Sequence, residues 1–227
     1  MLNTVYRLVA PRRFEVEFND IDLHAGQIVV RPTHLSICHA DQRYYQGVRP
    51  AEVLKEKLPM ALIHEGLGEV LYDPTGTYQC GDTVIMIPNT PCEKDEVIAE
   101  NYLRSSKFRA SGFDGFMQEH VALDIDRVVP VDDSIDKVIA AFTELVSVSV
   151  HAIRRFDSIA HERRKAVGIW GDGNLGYITA IFFKAMFPNT KLYILGVDQE
   201  KLSGFSFADD TFSVSDIPDD LYIDHAF

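Results

Sequence analysis

The 227-residue sequence has only three cysteines, Cys38, Cys80 and Cys92, and one tryptophan, Trp170. Three scattered thiols cannot form the disulfide framework of a small secreted scaffold. No apolar run approaches the ~18 residues needed to cross a bilayer. The longest, around 138–153, is interrupted by Glu144 and His151. The opening MLNTVYRLVAPRRF lacks the apolar core of about 7–15 residues that a signal peptide carries. Positive charge is scarce too: 22 Lys and Arg against 34 Asp and Glu leave a formal charge of −12. That balance opposes nonspecific attraction to nucleic acid or anionic lipid. There is no internal repeat and no low-complexity segment. What remains is ordinary core-forming composition, 46% hydrophobic and 25% charged, and a cytoplasmic protein with neither membrane nor nucleic acid as partner is expected.

Two regions of different character follow one another. Up to about residue 130, short alternating or β-branched runs are separated by turn residues: Phe14–Phe18, Gln27–Pro32, Gly68–Tyr72, Thr83–Pro88 and His120–Leu123. This spacing predicts a mostly β domain of barrel or sandwich type. Segment 89–112 is polar and reads as a surface excursion. From Asp136 to Phe156 apolar residues recur at helical spacing. A short apolar run, Ala166–Trp170, then has the look of a buried parallel strand. A glycine turn, a helix at Leu175–Phe187, a second strand at Lys191–Val197, a third around Thr211–Val214 and a fourth from Asp224 complete the pattern. Strand and helix in alternation predict a right-handed βαβ sheet, giving an α/β chain overall. The expected divisions are 1–135, a connecting helix at 136–160, and 161–227.

Gly171-Asp172-Gly173-Asn174-Leu175-Gly176 fits G-x-G-x-x-G between a buried strand and a helix. The first glycine permits the tight turn, the second lets backbone approach a pyrophosphate, and the third lets strand and helix pack closely. Helix N-terminal N–H groups at Asn174, Leu175 and Gly176 would then face the phosphates. An acidic residue is expected about 20 positions on, and the candidate, Asp198, lies 27 residues past Gly171. It reads either as the acceptor of an adenine ribose, repelling a 2′-phosphate, or as a solvated loop residue.

Cys38, His64 and Glu65 fall in the β-rich half. Thiolate and imidazole suit zinc, and three protein ligands leave a position open for substrate. On composition alone the same residues read more readily as a small buried hydrophobe and a commonplace His-Glu pair.

The surrounding motifs resemble a known family. Ser36-Ile37-Cys38-His39-Ala40-Asp41 is similar to the cysteine segment of zinc-containing medium-chain alcohol and polyol dehydrogenases. His64-Glu65-Gly66-Leu67-Gly68-Glu69-Val70, followed by Gly76 and Gly81-Asp82-Thr83-Val84, resembles that family's H-E-x-x-G … G-D-x-V signature. The run Glu144-Leu145-Val146-Ser147-Val148-Ser149-Val150-His151 looks like the sorbitol-dehydrogenase form of the third-ligand helix, with glutamate in place of cysteine. Ala40-Asp41-Gln42-Arg43-Tyr44-Tyr45, Pro88-Asn89-Thr90-Pro91, Ile98-Ala99-Glu100-Asn101-Tyr102-Leu103 and the segment from Gly168 to Tyr177 carry a closer likeness to the ribulose-5-phosphate reductases of teichoic-acid and capsule synthesis.

The resemblance implies a GroES-like β-barrel catalytic domain followed by a Rossmann doubly wound sheet. It implies zinc held by Cys38 and His64, with Glu65 and Glu144 completing the sphere, and Asp41 orienting His64. It implies hydride transfer from NADPH to the ketone of a pentulose phosphate, the product passing to a cytidylyltransferase, in a full-length homodimer. Asp198 argues for NAD(H) instead on electrostatic grounds. Ala40 stands where the alcohol dehydrogenases have a proton-relaying hydroxyl, so bound water, Glu65 or Glu144 must supply the proton, or the site is dead. Arg43 replaces the downstream relay histidine and reads as a phosphate contact or a surface charge; Tyr44 and Tyr45 as pocket or packing. With only Cys92 in segment 89–112, a second, structural zinc is not expected.

Only 51 residues follow Gly176, whereas a dinucleotide domain has two βαβαβ halves. The expectation is therefore a first half without its second, holding zinc poorly and not turning over alone. Two other functions fit the same motifs: a catalytically dead nucleotide-binding or interaction module, and a zinc polyol dehydrogenase acting on unphosphorylated sugar alcohols.

Overall fold

The computed structural model describes residues 1–227. The chain divides into two compact units, Met1–Glu144 and Leu145–Phe227. In the first, strands β1 (Leu2–Ala10) and β2 (Arg13–Asp20) form an antiparallel hairpin. After β3 (Gln27–Ser36) come two short helices, α1 (His39–Gln46) and α2 (Ala51–Lys57). Strands β4 (Met60–Ala61), β5 (Glu65–Tyr72), β6 (Thr83–Met86), β7 (Asn89–Thr90), β8 (Lys107–Phe108), β9 (Val121–Asp124) and β10 (Val128–Pro130) follow. The main sheet has the order β10-β6-β5-β3-β9, with all pairs antiparallel. Side chains alternate across such strands, and the inward set, Ile28, Val30, Val70, Val84, Met86, Val121 and Leu123, closes around Phe116 as one core. A smaller sheet, β2-β1-β4, packs its own cluster of Leu8, Tyr44, Met60, Leu62 and Ile63. Segment 89–112 contributes the two-stranded ladder β7-β8.

The expected helix over 136–156 is broken. Helix α3 (Lys137–Ala140), capped by the Asp136 carboxylate on the N–H groups of Val138 and Ile139, stops at once, and α4 runs from Thr143 to Ile159. The Thr143 hydroxyl donates to the Ala140 carbonyl at 2.7 Å, satisfying an acceptor at that break.

The second unit is built on a four-stranded parallel sheet. Its strands are β11 (Ala166–Trp170), β12 (Lys191–Gly196), β13 (Asp210–Ser213) and β14 (His225–Ala226), in the order β13-β12-β11-β14. Helix α5 (Asn174–Met186) crosses between β11 and β12, and α6 (Gln199–Ser203) leads to β13. Val167, Ile169, Leu192 and Ile194 are buried against Ile153, Phe156, Ala180 and Phe183. Each of the larger of these side chains contributes roughly 1.5–3 kcal/mol on burial. No helix of the structure is long and apolar enough to cross a membrane.

Candidate metal centre and nucleotide turn

Cys38 sits at the N-cap of α1 with extended backbone. Its Sγ accepts from the Ala40 N–H at 3.2 Å, while its own N–H donates to Asp41 at 3.1 Å. This is a capping box written with Cys and Asp instead of the usual Ser or Thr and Glu. The other Asp41 oxygen accepts from the Ile63 N–H at 2.9 Å. Asp41 was expected to hold the His64 ring; instead, its buried carboxylate ties the two ligand-bearing segments together through their backbones. Both its oxygens are engaged by N–H groups fixed by α1 and by the turn before His64. Ile63 itself has φ +70°, a left-handed conformation that costs a β-branched residue on the order of 1–3 kcal/mol. The Asp41 bond and a 2.6 Å bond from the Phe116 N–H to the Ile63 carbonyl hold it there.

The ligand atoms of Cys38, His64 and Glu65 lie within 4.8 Å of one another. The His64 Nε2 is 3.9 Å from Glu65 Oε1. Tetrahedral zinc, with bonds of about 2.0–2.3 Å, needs its ligand atoms roughly 3.5 Å apart, so closure takes about an ångström of side-chain movement. Two observations favour a cation. Glu65, the first residue of β5, is 1% exposed, and its Oε2 is buried without a hydrogen-bond partner. Such an orphaned acceptor is costly unless something positive meets it. Burial raises the Glu65 carboxyl above its usual range, with the Ser36 hydroxyl pulling the other way, and pushes the Cys38 thiol up to about 12. The Cys38 thiol thus holds a proton that a metal would displace.

Glu144, in the first turn of α4, is not one of the three converging ligands. Burial, reinforced by the nearby charge of Glu65, raises its carboxyl to about 7. A folded-state value above the ordinary 4.5 means that the fold favours the protonated acid. That contribution is present below pH 4.5 and lost as pH rises through about 7. In the metal-free chain, Glu144→Gln should therefore flatten the decline in stability between pH 5 and 8. The expected difference is on the order of 1–2 kcal/mol after discounting for partial exposure. Urea unfolding at several pH values measures it, and parallel pH profiles for the two proteins would assign the shift elsewhere.

Other expected site residues are placed differently. Tyr44 belongs to the core: it is 5% exposed, packed among Leu8, Met60 and Leu62, with the Arg49 guanidinium 4.8 Å above its ring. The reason is helical spacing, since Asp41 and Tyr44 share the buried face of α1. Tyr45, on the outer face, stacks on Phe14. Arg43 is half-buried near the end of α1, and its guanidinium forms no ion pair.

In the second unit, Gly171, at φ +149°, leads the chain out of β11, and Gly173 is the N-cap of α5 with no side-chain cap bond. A Cβ on Gly176 would lie 2.1 Å from the Gly171 carbonyl oxygen, whereas one on Gly173 would meet nothing within 4 Å. The third glycine is a packing requirement, and the second leaves a cradle in front of the free N–H groups of Asn174, Leu175 and Gly176. A cavity of about 440 Å³ adjoins this turn, lined in part by Ser149, Gly171, Gly173 and Thr179. Asp172, a variable position in the glycine motif, accepts from the N–H groups of Val197 (2.7 Å) and Asp198 (2.8 Å) and so pins the end of β12 beside the turn. Asp198 was expected to receive a ribose. Its Oδ1 instead caps α6 through Glu200 and Lys201, and its Oδ2 lies 3.7 Å from the Lys201 Nζ.

Comparison with known proteins gives the family. Residues 24–133 match the alcohol dehydrogenase GroES-like domain. Over all 227 residues the chain is 55% identical to ribulose-5-phosphate reductase of Bacillus spizizenii and 56% identical to ribulose-5-phosphate reductase 1 of Staphylococcus aureus, covering 67% of each. The chain belongs to the alcohol dehydrogenase family, on its ribulose-5-phosphate reductase branch. The crystal structure of S. aureus TarJ in complex with NADPH superposes with a TM-score of 0.82 at 49% identity, covering 100% of this chain and 64% of that one. The chain thus spans about two thirds of the length of these relatives. The expected architecture, a GroES-like barrel followed by part of a Rossmann sheet, is the family's and is the one observed.

Proposed function

We propose that the protein is a zinc-dependent reductase that transfers hydride from NADPH to the ketone of ribulose 5-phosphate, giving ribitol 5-phosphate. The observation that carries the reading is the convergence of Cys38, His64 and Glu65 next to an acid, Glu144, raised to about 7. When bound, zinc supplies a Lewis acid and the nicotinamide nucleotide a hydride. Cys38, His64 and Glu65 hold the metal. Glu144 keeps a proton on its carboxyl near neutral pH and serves as the proton donor that Ala40 cannot be, because a general acid works best with a pKa near the operating pH. Arg43, on the outer side of α1 with its charge uncommitted, is the phosphate contact.

Gly171, Gly173 and Gly176 form the pyrophosphate turn. The commitment of Asp198 to its helix cap supports NADPH over NADH, because it leaves that carboxylate less free to oppose a 2′-phosphate. The relative crystallised with NADPH supports the same choice. A cytoplasmic location accords with three free thiols, one of them in the metal group.

The test is NADPH oxidation with D-ribulose 5-phosphate, with zinc quantified in the same sample. It is run on this chain and on a form carrying the further third its relatives have. Activity that is stronger with ribulose 5-phosphate than with the free sugar, and weakened at least tenfold by Arg43→Ala through KM, is expected in the extended form. Absence of both zinc and activity in both forms would sink the enzyme reading.

A further inference from the structure

A metal-bound imidazole normally has its ring fixed by a hydrogen bond that its free N–H donates to a neighbouring acceptor. Here the residue expected to supply it, Asp41, is consumed by backbone N–H groups, and neither His64 ring nitrogen makes a hydrogen bond. What does touch the ring is Phe108 of β8, edge to face at 5.0 Å between centroids with an interplanar angle of 64°. Aromatic pairs prefer this arrangement, which contributes about 0.5–1.5 kcal/mol beyond area burial and restricts the rotation of both rings.

The structure also fixes Phe108. Its neighbour Arg109 donates from its guanidinium to the carbonyls of Asp114 (3.2 Å) and Ala122 (2.8 Å), with the rings of Phe113 and Phe116 on either hand. The Arg109 N–H bonds the Pro88 carbonyl at 3.1 Å, which anchors the β7-β8 ladder. Asp114 in turn accepts from the Ala61 N–H at 2.8 Å, three residues before His64. Gly115, Phe116 and Met117 then bond the backbones of Ala61, Ile63 and Leu62. This approach is so close that a Cβ on Gly115 would lie 2.3 Å from the Ile63 carbonyl oxygen. Segments 60–64 and 108–117 are thus two sides of one clasp, with His64 and Phe108 meeting at its open end.

We infer that Phe108 is a positioning residue for the metal centre, doing by ring packing what a hydrogen-bonding partner does for other metal-bound histidines, and that Arg109 holds it in place. The inference rests on the metal reading above. It gives segment 89–112, where no second zinc is expected, a role in tuning the catalytic one.

Cobalt titration tests it, because Co²⁺ reports the geometry of its site in the visible spectrum independently of turnover. The chain, Phe108→Ala, Phe108→Tyr and Arg109→Lys are each titrated, and circular dichroism and melting are recorded for all four. We expect about tenfold weaker Co²⁺ binding in Phe108→Ala, the lower end of the range for loss of a ligand's partner, with shifted absorption bands. Phe108→Tyr, which keeps the ring, should restore both, and Arg109→Lys should show the same shift in smaller degree. Parent-like spectra and affinity in Phe108→Ala, with melting intact, would overturn the inference and leave the metal reading standing. No Co²⁺ binding by the parent would overturn both. If Phe108→Ala fails to fold, Arg109→Lys decides: a parent-like spectrum and affinity there overturn the proposal.

Discussion

Cys38→Ser is expected to lower zinc or cobalt affinity by more than about 100-fold, exceeding the 10–100-fold typical for loss of a ligand's partner. The substitution isolates the metal from the fold. Cys38 has two roles: its Sγ is one of three converging donors, and it accepts the Ala40 N–H at the start of α1. Serine keeps the second role, being among the preferred N-cap residues, and removes the soft thiolate that suits zinc. Metal-free parent and variant should therefore melt within a few degrees of each other. The upward shift in melting that metal gives to the parent, which follows from binding to the folded state alone, should vanish in the variant. Equal cobalt affinity in the two, or loss of a thiolate-to-metal absorption band in neither, would remove Cys38 from the ligand set.

The second large effect comes from two glycines to which the motif gives different roles, Gly173 for the phosphates and Gly176 for packing. Gly176→Ala drives a Cβ to 2.1 Å from a backbone oxygen of Gly171. Backbone has to move, and the cost should reach the top of the overpacking range, about 3 kcal/mol, lowering the melting temperature by on the order of 10 °C. Gly173→Ala meets no atom within 4 Å and needs only φ −87°, which alanine adopts freely. Its melting should hardly change. Its NADPH affinity should nonetheless fall at least tenfold, about 1.4 kcal/mol, because the new methyl occupies the place of the pyrophosphate. Fluorescence titration with NADPH alongside thermal melts measures both. A Gly173→Ala protein that binds NADPH like the parent would mean that the phosphates do not lie on this turn.

The parts of this molecule that sequence made legible are those where one periodicity dominates. Ala166–Trp170 was read to the residue because a strand buried on both faces is simply a continuous apolar run between polar flanks. Helix α1 went unread because its start signal is a cysteine and its buried face is only two residues, Asp41 and Tyr44. The same short helix explains the two expectations at Asp41 and Tyr44 that changed: motif resemblance names residues, but the face each occupies is set by its position relative to the cap. Strand β1 shows no clear alternation in the sequence, although Val5 and Leu8 are wholly buried in it. The convergence of Cys38 with His64 and Glu65 was legible only through resemblance, since 26 residues separate the first two and nothing local brings them together. Phe108 carried no signal at all. Its importance arises from a clasp between segments some 45 residues apart, and clasps of that kind are made of backbone hydrogen bonds, which every sequence can form.

The left-handed backbone at Ile63 carries a consequence for how this protein can change over generations. Glycine there would relieve the strain but give up a buried side chain of the smaller sheet's core, and the two effects are of similar size. Yet the residue that bears the strain also sets the direction in which the chain delivers His64 to its partners, and the Asp41 bond exists to hold it. A lineage can therefore exchange the isoleucine only with compensation in that core, and should gain robustness more readily at distant positions. The position therefore marks a place where substitution should be slow under thermal and catalytic selection alike.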